Sequence, residues 1–153
     1  MSVSTKAAAA LASIEAAMAF DPGGRGLCGD PRLRVALRGS IRRAASRLAG
    51  ADRVLIVTGF LIERAGVGES DGPPGSAVLA RALARLGKDV RIVTDLHSAA
   101  LVEASAAALG SRPRVVTLSP GDGELACLAI LSGFRPDVVV AIERPGKAAD
   151  GGF

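Results

Sequence analysis

Four short apolar runs separated by helical stretches constrain this chain more than any single motif. Arg53 to Thr58, Val90 to Thr94, Arg114 to Leu118 and Asp137 to Ile142 are rich in Val and Ile and apolar nearly throughout. That is the pattern of strands covered on both faces. Between them, about Pro74 to Leu86, Ser98 to Leu109 and Gly123 to Gly133 read as helices. In the first of these, Val78, Leu79, Ala82, Leu83 and Leu86 form one apolar arc, with Arg81, Arg85 and Lys88 opposite. Pro73 and Pro74 suit its first turn, where a missing N–H costs nothing, and Gly87 suits its stop. Strand and helix in alternation imply right-handed crossovers and a layered sheet. The expected fold is α/β: a mainly parallel sheet of about four strands with helices on both faces, preceded by two N-terminal helices.

Those two helices occupy roughly the first 20 residues and the stretch from Pro31 to about Ala49. The second carries Arg32, Arg34, Arg38, Arg42, Arg43 and Arg47 beside an apolar stripe of Leu33, Leu37, Ile41, Ala44 and Leu48. Such spacing makes an amphipathic helix with a broad basic face. No nucleic-acid motif accompanies it, so a solvated face is the expectation and no nucleic-acid partner is assigned. The 153 residues show no internal repeat or low-complexity linker and are read as a single domain, 1–153. The chain has no Trp, no Tyr and four Phe, which leaves little for aromatic stacking sites. Cys28 and Cys127 are the two cysteines, far apart and without metal-ligand spacing; they point to a reducing compartment. Glu15 interrupts the alanine-rich start, which argues against a signal sequence. No run of about 18 apolar residues exists to span a membrane. A cytoplasmic protein without a membrane partner is expected.

Chemistry-bearing residues collect where the strands end. Thr58 closes the first strand, Thr94 and Asp95 the second, Ser119 the third, and Glu143 with Arg144 the fourth. In a parallel sheet these ends share one edge, and ligands bind there. The first strand leads through Gly59-Phe60 to an acidic Gly-Pro loop, Glu69-Ser70-Asp71-Gly72-Pro73-Pro74-Gly75, which opens a helix. Glu69, Asp71, Asp95 and Glu143 could gather as a carboxylate cluster for proton transfer, for an ammonium group or for a hard cation such as Mg²⁺. Arg25, Arg64 and Arg144 are the guanidinium partners for a planar oxyanion. Acid and base together suit a small zwitterion. Read singly, each of these residues is a cap or a surface charge.

Other motifs fall away. No GxGxxG follows the first strand, and no GxxxxGK[ST] exists. The glycine-rich loop at Gly23 to Gly29 follows a helix, not a strand. His97, the only histidine, stands two residues from Asp95, a poor spacing for a catalytic pair, and there is no GxSxG nucleophile to serve. One histidine and scattered cysteines do not suggest zinc.

Taken together, several segments resemble the D-glutamate cyclase family. They are the DxGxRGL-like Asp21 to Leu27, Thr58-Gly59-Phe60, Glu69 to Gly75, Leu86-Gly87-Lys88, Thr94-Asp95, Ala141-Ile142-Glu143-Arg144-Pro145-Gly146 and Asp150-Gly151. The acidic Gly-Pro loop together with the later ERPG is the specific part. Ser70 stands where the family usually carries Thr and keeps the hydroxyl. The family's domain runs well past its ERPG segment, so the chain is expected to be the N-terminal part of a longer cyclase-like domain. The stretch Gly146 to Phe153 is then expected to be poorly ordered without the rest.

The resemblance implies a lyase of the hydro-lyase type, interconverting D-glutamate and 5-oxo-D-proline with loss of water. It implies Asp71, Glu143 and Asp95 as catalytic residues, and Thr58, Gly59, Glu69, Gly72, Gly75 and Arg144 as substrate contacts. No cofactor and no metal is implied. The partner is a small-molecule substrate, with a homo-oligomer or another chain supplying the missing segment. Two other readings stay open: a non-catalytic small-molecule-binding half-domain, and a Mg²⁺-dependent phosphate-handling enzyme on the same sheet.

Overall fold

A computed structural model describes residues 5–20, 30–119 and 121–146, with the side chains of 33, 34 and 36 left aside. The loop with Arg25 and Cys28, the Asp21–Leu27 segment and residues 147–153 lie outside the described residues. The chain divides into two compact units, Met1–Gly50 and Ala51–Phe153.

The first unit holds helices α1 (Thr5–Met18), α2 (Pro31–Leu37) and α3 (Ser40–Gly50). The arginine-bearing helix expected as one element is therefore two. Gly39 adopts φ 72°, a left-handed conformation that glycine accepts without penalty. The side chain of Glu15 on α1 then accepts hydrogen bonds from the N–H groups of Gly39 and Ile41, both at 2.9 Å. A carboxylate at the start of α3 satisfies donors that an unbroken helix would have paired internally. Asp30 caps α2 by accepting from the Arg32 N–H at 2.8 Å, with Pro31 in the first turn. Arg42, Arg43 and Arg47 of α3 are exposed, as a solvated basic face requires.

The second unit is built on four parallel strands, β1 (Arg53–Thr58), β4 (Asp89–Asp95), β5 (Arg114–Leu118) and β6 (Val138–Ile142), in the order β5-β4-β1-β6. Helices α4 (Gly72–Arg85), α5 (Leu96–Ala108) and α6 (Gly123–Phe134) make the crossovers. The α/β layered fold and the strand positions agree with the sequence reading, with boundaries displaced by one or two residues. One element was not foreseen: an antiparallel pair, β2 (Leu61–Ile62) and β3 (Val67–Gly68), lies inside what reads as loop. Two-residue strands are too short to show a period of two.

Period two divides the core. Val54, Ile56, Val90 and Ile92 point to one face of the sheet, with Ala77, Ala80 and Leu83 of α4 and Val102 and Ala106 of α5 also buried. Leu55 and Val93 point to the other face and pack with Phe134, flanked by Val57, Val116, Leu118 and Ile130. The Arg91 guanidinium lies 4.1 Å from the centre of the Phe134 ring, a cation–π contact that lets the stem of Arg91 run along the core. The central strands are covered on both faces, as their sequences suggest. β6 departs from that expectation: it is an edge strand in which Val139 is 52% exposed. Nearby on the chain, Leu125, Leu128 and Leu131 of α6 are exposed as well.

Candidate functional site

β4 and β5 lie on one side of β1, and β6 lies on the other. The connection leaving β1 therefore goes one way and the connection entering β6 comes from the opposite direction. At such a reversal the loops diverge and leave a crevice beyond the strand ends. Thr58 and Gly59 from β1, and Ile142, Glu143 and Arg144 from β6, stand at that point. Thr58 is directly paired with Ile142 in the sheet register.

Gly72, the first residue of α4, closes onto this pair. A Cβ at Gly72 would lie 2.7 Å from Thr58 Oγ1 and 2.9 Å from Glu143 Cβ, so only glycine lets α4 begin here. Gly72 is thereby set against Glu143 although 71 positions separate them in the sequence, and Asp71 directly precedes Gly72. Asp71 occupies the N-cap position of α4, yet its side chain makes no capping hydrogen bond and is exposed. Its carboxylate is thus not committed to holding the helix. Pro73 and Pro74 have no N–H, so Gly72 and Gly75 carry the N–H groups of the first turn of α4. Gly75 itself is exposed, and a Cβ there would meet Ile142 at an ordinary 3.8 Å.

Glu143 has φ 45°, a left-handed conformation uncommon outside glycine, and its side chain is exposed. The turn sends the chain from β6 into Arg144, whose guanidinium reaches back across the end of β1. Arg144 Nη1 donates to the Gly59 carbonyl at 3.1 Å and to Asp95 Oδ2 at 3.0 Å. The other carboxylate oxygen of Asp95 accepts from the N–H groups of His97 and Ser98, at 3.0 and 2.9 Å, and so caps α5. Three strands are joined this way through one ion pair whose partners remain partly in water. Gly59, at φ 125°, is pressed against the same pair; a Cβ there would overlap Asp95 Oδ2.

The remaining residues named from the sequence are placed as follows. Glu69 is half-buried, and its N–H donates to the Phe60 carbonyl at 2.8 Å, tying the acidic loop to the end of β1. Ser119 shares the strand-end edge but follows β5, two strands from the crevice. Arg64 lies exposed in the turn between β2 and β3. His97 contributes its backbone N–H to Asp95, and its side chain is exposed. Among the described residues no three of His, Cys, Asp or Glu come together as a metal ion would need, so Glu69, Asp71, Asp95 and Glu143 do not form a cation-binding cluster. Sequence reasoning missed Ser76 and Ser98, both fully buried, and the glycine Gly68, which lies over Ser98. A serine near the start of a helix carries no signal of which way it points.

Residues 14–153 match the family model described as "D-glutamate cyclase-like, C-terminal". This chain belongs to that family. It is also 32% identical, over 167 aligned positions, to the Homo sapiens protein named "D-glutamate cyclase, mitochondrial". That alignment takes in 98% of this chain and 26% of the human protein, so the chain spans about a quarter of the length of its relative. Everything described above at the strand ends, from Thr58 to Arg144, falls within the family match. Among the described residues no helix is long and apolar enough to cross a membrane.

Proposed function

We propose that this chain carries part of a D-glutamate cyclase-type active site, for the interconversion of D-glutamate and 5-oxo-D-proline. In the forward direction the α-amine attacks the side-chain carboxyl carbon, a C–N bond forms, a C–O bond breaks and water leaves. The reading draws its ligand from the name of the human relative and its site from one observation: Gly72, which directly follows Asp71, packs on Glu143 at the crevice between β1 and β6. Both carboxylates are exposed and neither is used to hold the fold.

Each step asks for a group that this edge can supply. Only the free amine is nucleophilic, so a base must take a proton from the ammonium; Asp71 or Glu143 does this. The departing hydroxyl needs a proton, and the other of the two carboxyl groups is placed to give it. Arg144 binds the α-carboxylate through the part of its guanidinium that faces away from Asp95, since Nη1 is already engaged. Asp95, with both oxygens hydrogen-bonded, acts by holding Arg144 in place. The N–H groups of Gly72 and Gly75 at the start of α4 face developing negative charge. Thr58, Gly59 and Glu69 shape the floor and rim. Holding amine and carboxyl together is itself worth several kcal/mol, about 7 or more in well-oriented cases. The reaction requires no organic cofactor.

On this reading residues 1–153 act as one domain, the N-terminal part of a longer one, and the exposed flank of β6 and α6 is where further structure packs. That structure comes from the rest of a longer domain, from a second copy or from another chain. By itself 1–153 then has little cyclase activity, because a crevice open to water weakens the electrostatic work of its charges. The same openness favours the second reading, a half-domain that binds the small acid without converting it. A cytoplasmic location is proposed, in keeping with the free and exposed Cys127. The deciding experiment is lactam formation from both glutamate enantiomers, measured on this chain and on a version extended to the length of the family domain. Turnover of D-glutamate by the extended version supports the proposal. Inactivity of both versions, with D-glutamate still bound, would leave the binding reading in its place.

A further inference from the structure

Helix α6 is apolar on nearly every side. Of its residues, Gly123–Phe134, Glu124 is the one that carries charge. Ala126, Ile130 and Phe134, spaced four apart, form the side toward the sheet; Phe134 is buried and the other two are partly buried. At about 100° per residue, Leu125 and Leu128 project from the opposite side and Leu131 from a flank. They are 81%, 51% and 41% exposed. The helices on the other face of the sheet behave differently: α4 turns Arg85 to water and α5 turns Glu103. A helix that is apolar all round is one that is covered all round.

The sheet beside α6 is bare as well. Val139 and Ala141 of β6 pair in register with Leu55 and Val57, so they point to the same face as those two, the face on which α6 packs. Leu55 is buried there, whereas Val139 and Ala141 are exposed. Four strands at about 4.8 Å span roughly 19 Å, room for two helices of about 10 Å. On one face α4 and α5 fill that width. On the other, among the described residues of Ala51–Phe153, α6 lies alone and leaves a notch over β6. No charge guards this edge: Val138–Ile142 is wholly apolar, while β5, at the far edge, opens with an exposed Arg114.

We propose that a second copy of this chain covers both surfaces, the α6 of each copy lying in the notch of the other about a two-fold axis parallel to the strands. Ridge and notch stand side by side on one patch, which a two-fold requires, since each copy must offer both halves of the contact. The two α6 helices then form a single layer between two sheets. The outer side of each, with Leu125 and Leu128, meets Val139 and Ala141 of the other copy, and their flanks meet each other. One added helix from the rest of a longer domain or from another chain would fill the notch and touch the flank, but would leave Leu125 and Leu128 in water. That difference selects a second copy from the sources of cover named above. Beyond Glu124 the patch has no charge to repel its own image. The contact is small, about 18 Å by 19 Å, which is less than the standard interface of about 800 Å² per partner, so association in the micromolar range is expected. The inference does not rest on the cyclase reading.

The test is sedimentation equilibrium of the full chain from about 1 to 500 µM, with circular dichroism and thermal melting of each variant. The chain should pass from monomer to dimer and no further, with a midpoint of about 1–100 µM. Leu128→Glu and Val139→Lys should each weaken self-association about 100-fold or more, because each buries an unpaired charge twice. Both should keep the helix content of the unaltered chain, the sites being exposed. Leu125→Arg, at the most exposed of these positions, repeats the test where a substitution cannot disturb the fold. Mixed in equal amounts, the Leu128→Glu and Val139→Lys chains should dimerise again: the introduced carboxylate of one copy meets the introduced ammonium of the other, and the second contact of that heterodimer is unaltered. Arg114→Glu, at the far edge, should change nothing. A chain still monomeric at about 500 µM, growth beyond the dimer, folded variants that dimerise as before, or a mixture that stays monomeric would each overturn the proposal. So would a version extended to family length that is monomeric, since its own added segment would then be the cover. A dimeric extended version that forms no lactam would leave this inference standing while the cyclase reading fails.

Discussion

The two edges of one sheet are built on opposite terms. At the amino edge, where β1 and β6 begin, Asp137 accepts from the N–H groups of Asp52 and Arg53 at 3.1 and 2.8 Å and from Arg53 Nη2 at 3.3 Å. Arg53 Nε donates to the Arg135 carbonyl at 2.7 Å, and Arg53 and Asp137 also exchange a backbone hydrogen bond. At the carboxyl edge the hydroxyls of Thr58 and Thr94 have no partner among the described residues, and Asp71 makes no cap bond. Among the described residues each edge also has one left-handed residue outside glycine. Arg135, at φ 53°, ends α6 and its N–H returns to the Leu131 carbonyl, a helix stop. Glu143, at φ 45°, ends a strand, where no such motif accounts for it. Saturated hydrogen bonding marks the edge that holds the strands together; unspent polar groups and local strain mark the edge available for chemistry.

The comparison breaks first if the carboxyl edge proves structural. In a version of the protein extended to family length, Asp71→Asn and Glu143→Gln should each reduce lactam formation by about 100-fold or more. Their melting temperatures should stay within a few degrees, since exposed polar changes alter stability by about 0.5 kcal/mol or less. Variants that unfold, with activity following the folded fraction, would make both carboxylates part of the scaffold.

Close approach of the glycines is the next point of attack. Gly59→Ala combines a positive φ with overlap onto Asp95, and Gly72→Ala forces Thr58 and Glu143 apart. Each should cost about 2–4 kcal/mol in urea unfolding. Gly133→Ala, in α6 with open space around it, should be neutral or stabilising by up to about 1 kcal/mol. Equal losses at all three positions would remove any special status from the crevice glycines.

A smaller effect should separate strain from structure. Glu143→Gly should raise stability by about 1 kcal/mol, because glycine accepts the left-handed turn freely. Turnover of the extended protein should nonetheless fall. A destabilised Glu143→Gly would show that the side chain is held by contacts and that its backbone stores no cost.

The smallest effect belongs to the amino edge. Hydrogen bonds from the Arg53 and Asp52 N–H groups lower the Asp137 pKa in the fold below its ordinary value of 3.8. A carboxylate with a lowered folded pKa contributes stability above the ordinary value and loses it as pH falls through the folded one. Asp137→Asn should therefore narrow the gap between melting temperatures at neutral pH and below about pH 4, with cyclase chemistry untouched. An unchanged acid profile would mean the Asp137 bonds survive protonation or never mattered to stability.

Much of this was legible beforehand, and for definite reasons. The runs Val54–Val57 and Val90–Val93 announce buried strands because burial on both faces requires apolar residues at every position, whereas the equally apolar Val138–Ile142 forms an edge strand with no fully buried residue. Pro73, Pro74 and Gly87 mark the ends of α4 because they restrict or free the backbone locally. Thr58, Asp95 and Glu143 could be put on one edge because parallel strands end together. The break at Gly39 was not legible, since it depends on Glu15, 24 residues away, reaching the N–H of Gly39. The hairpin β2–β3 was too short to show periodicity. Asp95 looked like a free carboxylate in the sequence and is an anchored one, because Arg144, 49 positions later, folds back onto it.

What the sequence determined by itself is the alternation of strand and helix, the positions of the turns and the chemical kinds of residue at each strand end. These follow from local sterics and from the period of burial, which act over a few neighbouring residues. Only the tertiary structure decided that β1 and β6 are neighbours, that Gly72 packs against Glu143, and that Gly59, Gly68 and Gly72 lie on the hydroxyls of Thr94, Ser98 and Thr58. Those facts depend on which distant segments meet, and strand order is settled by how the helices pack on the two faces, which no short stretch of sequence encodes.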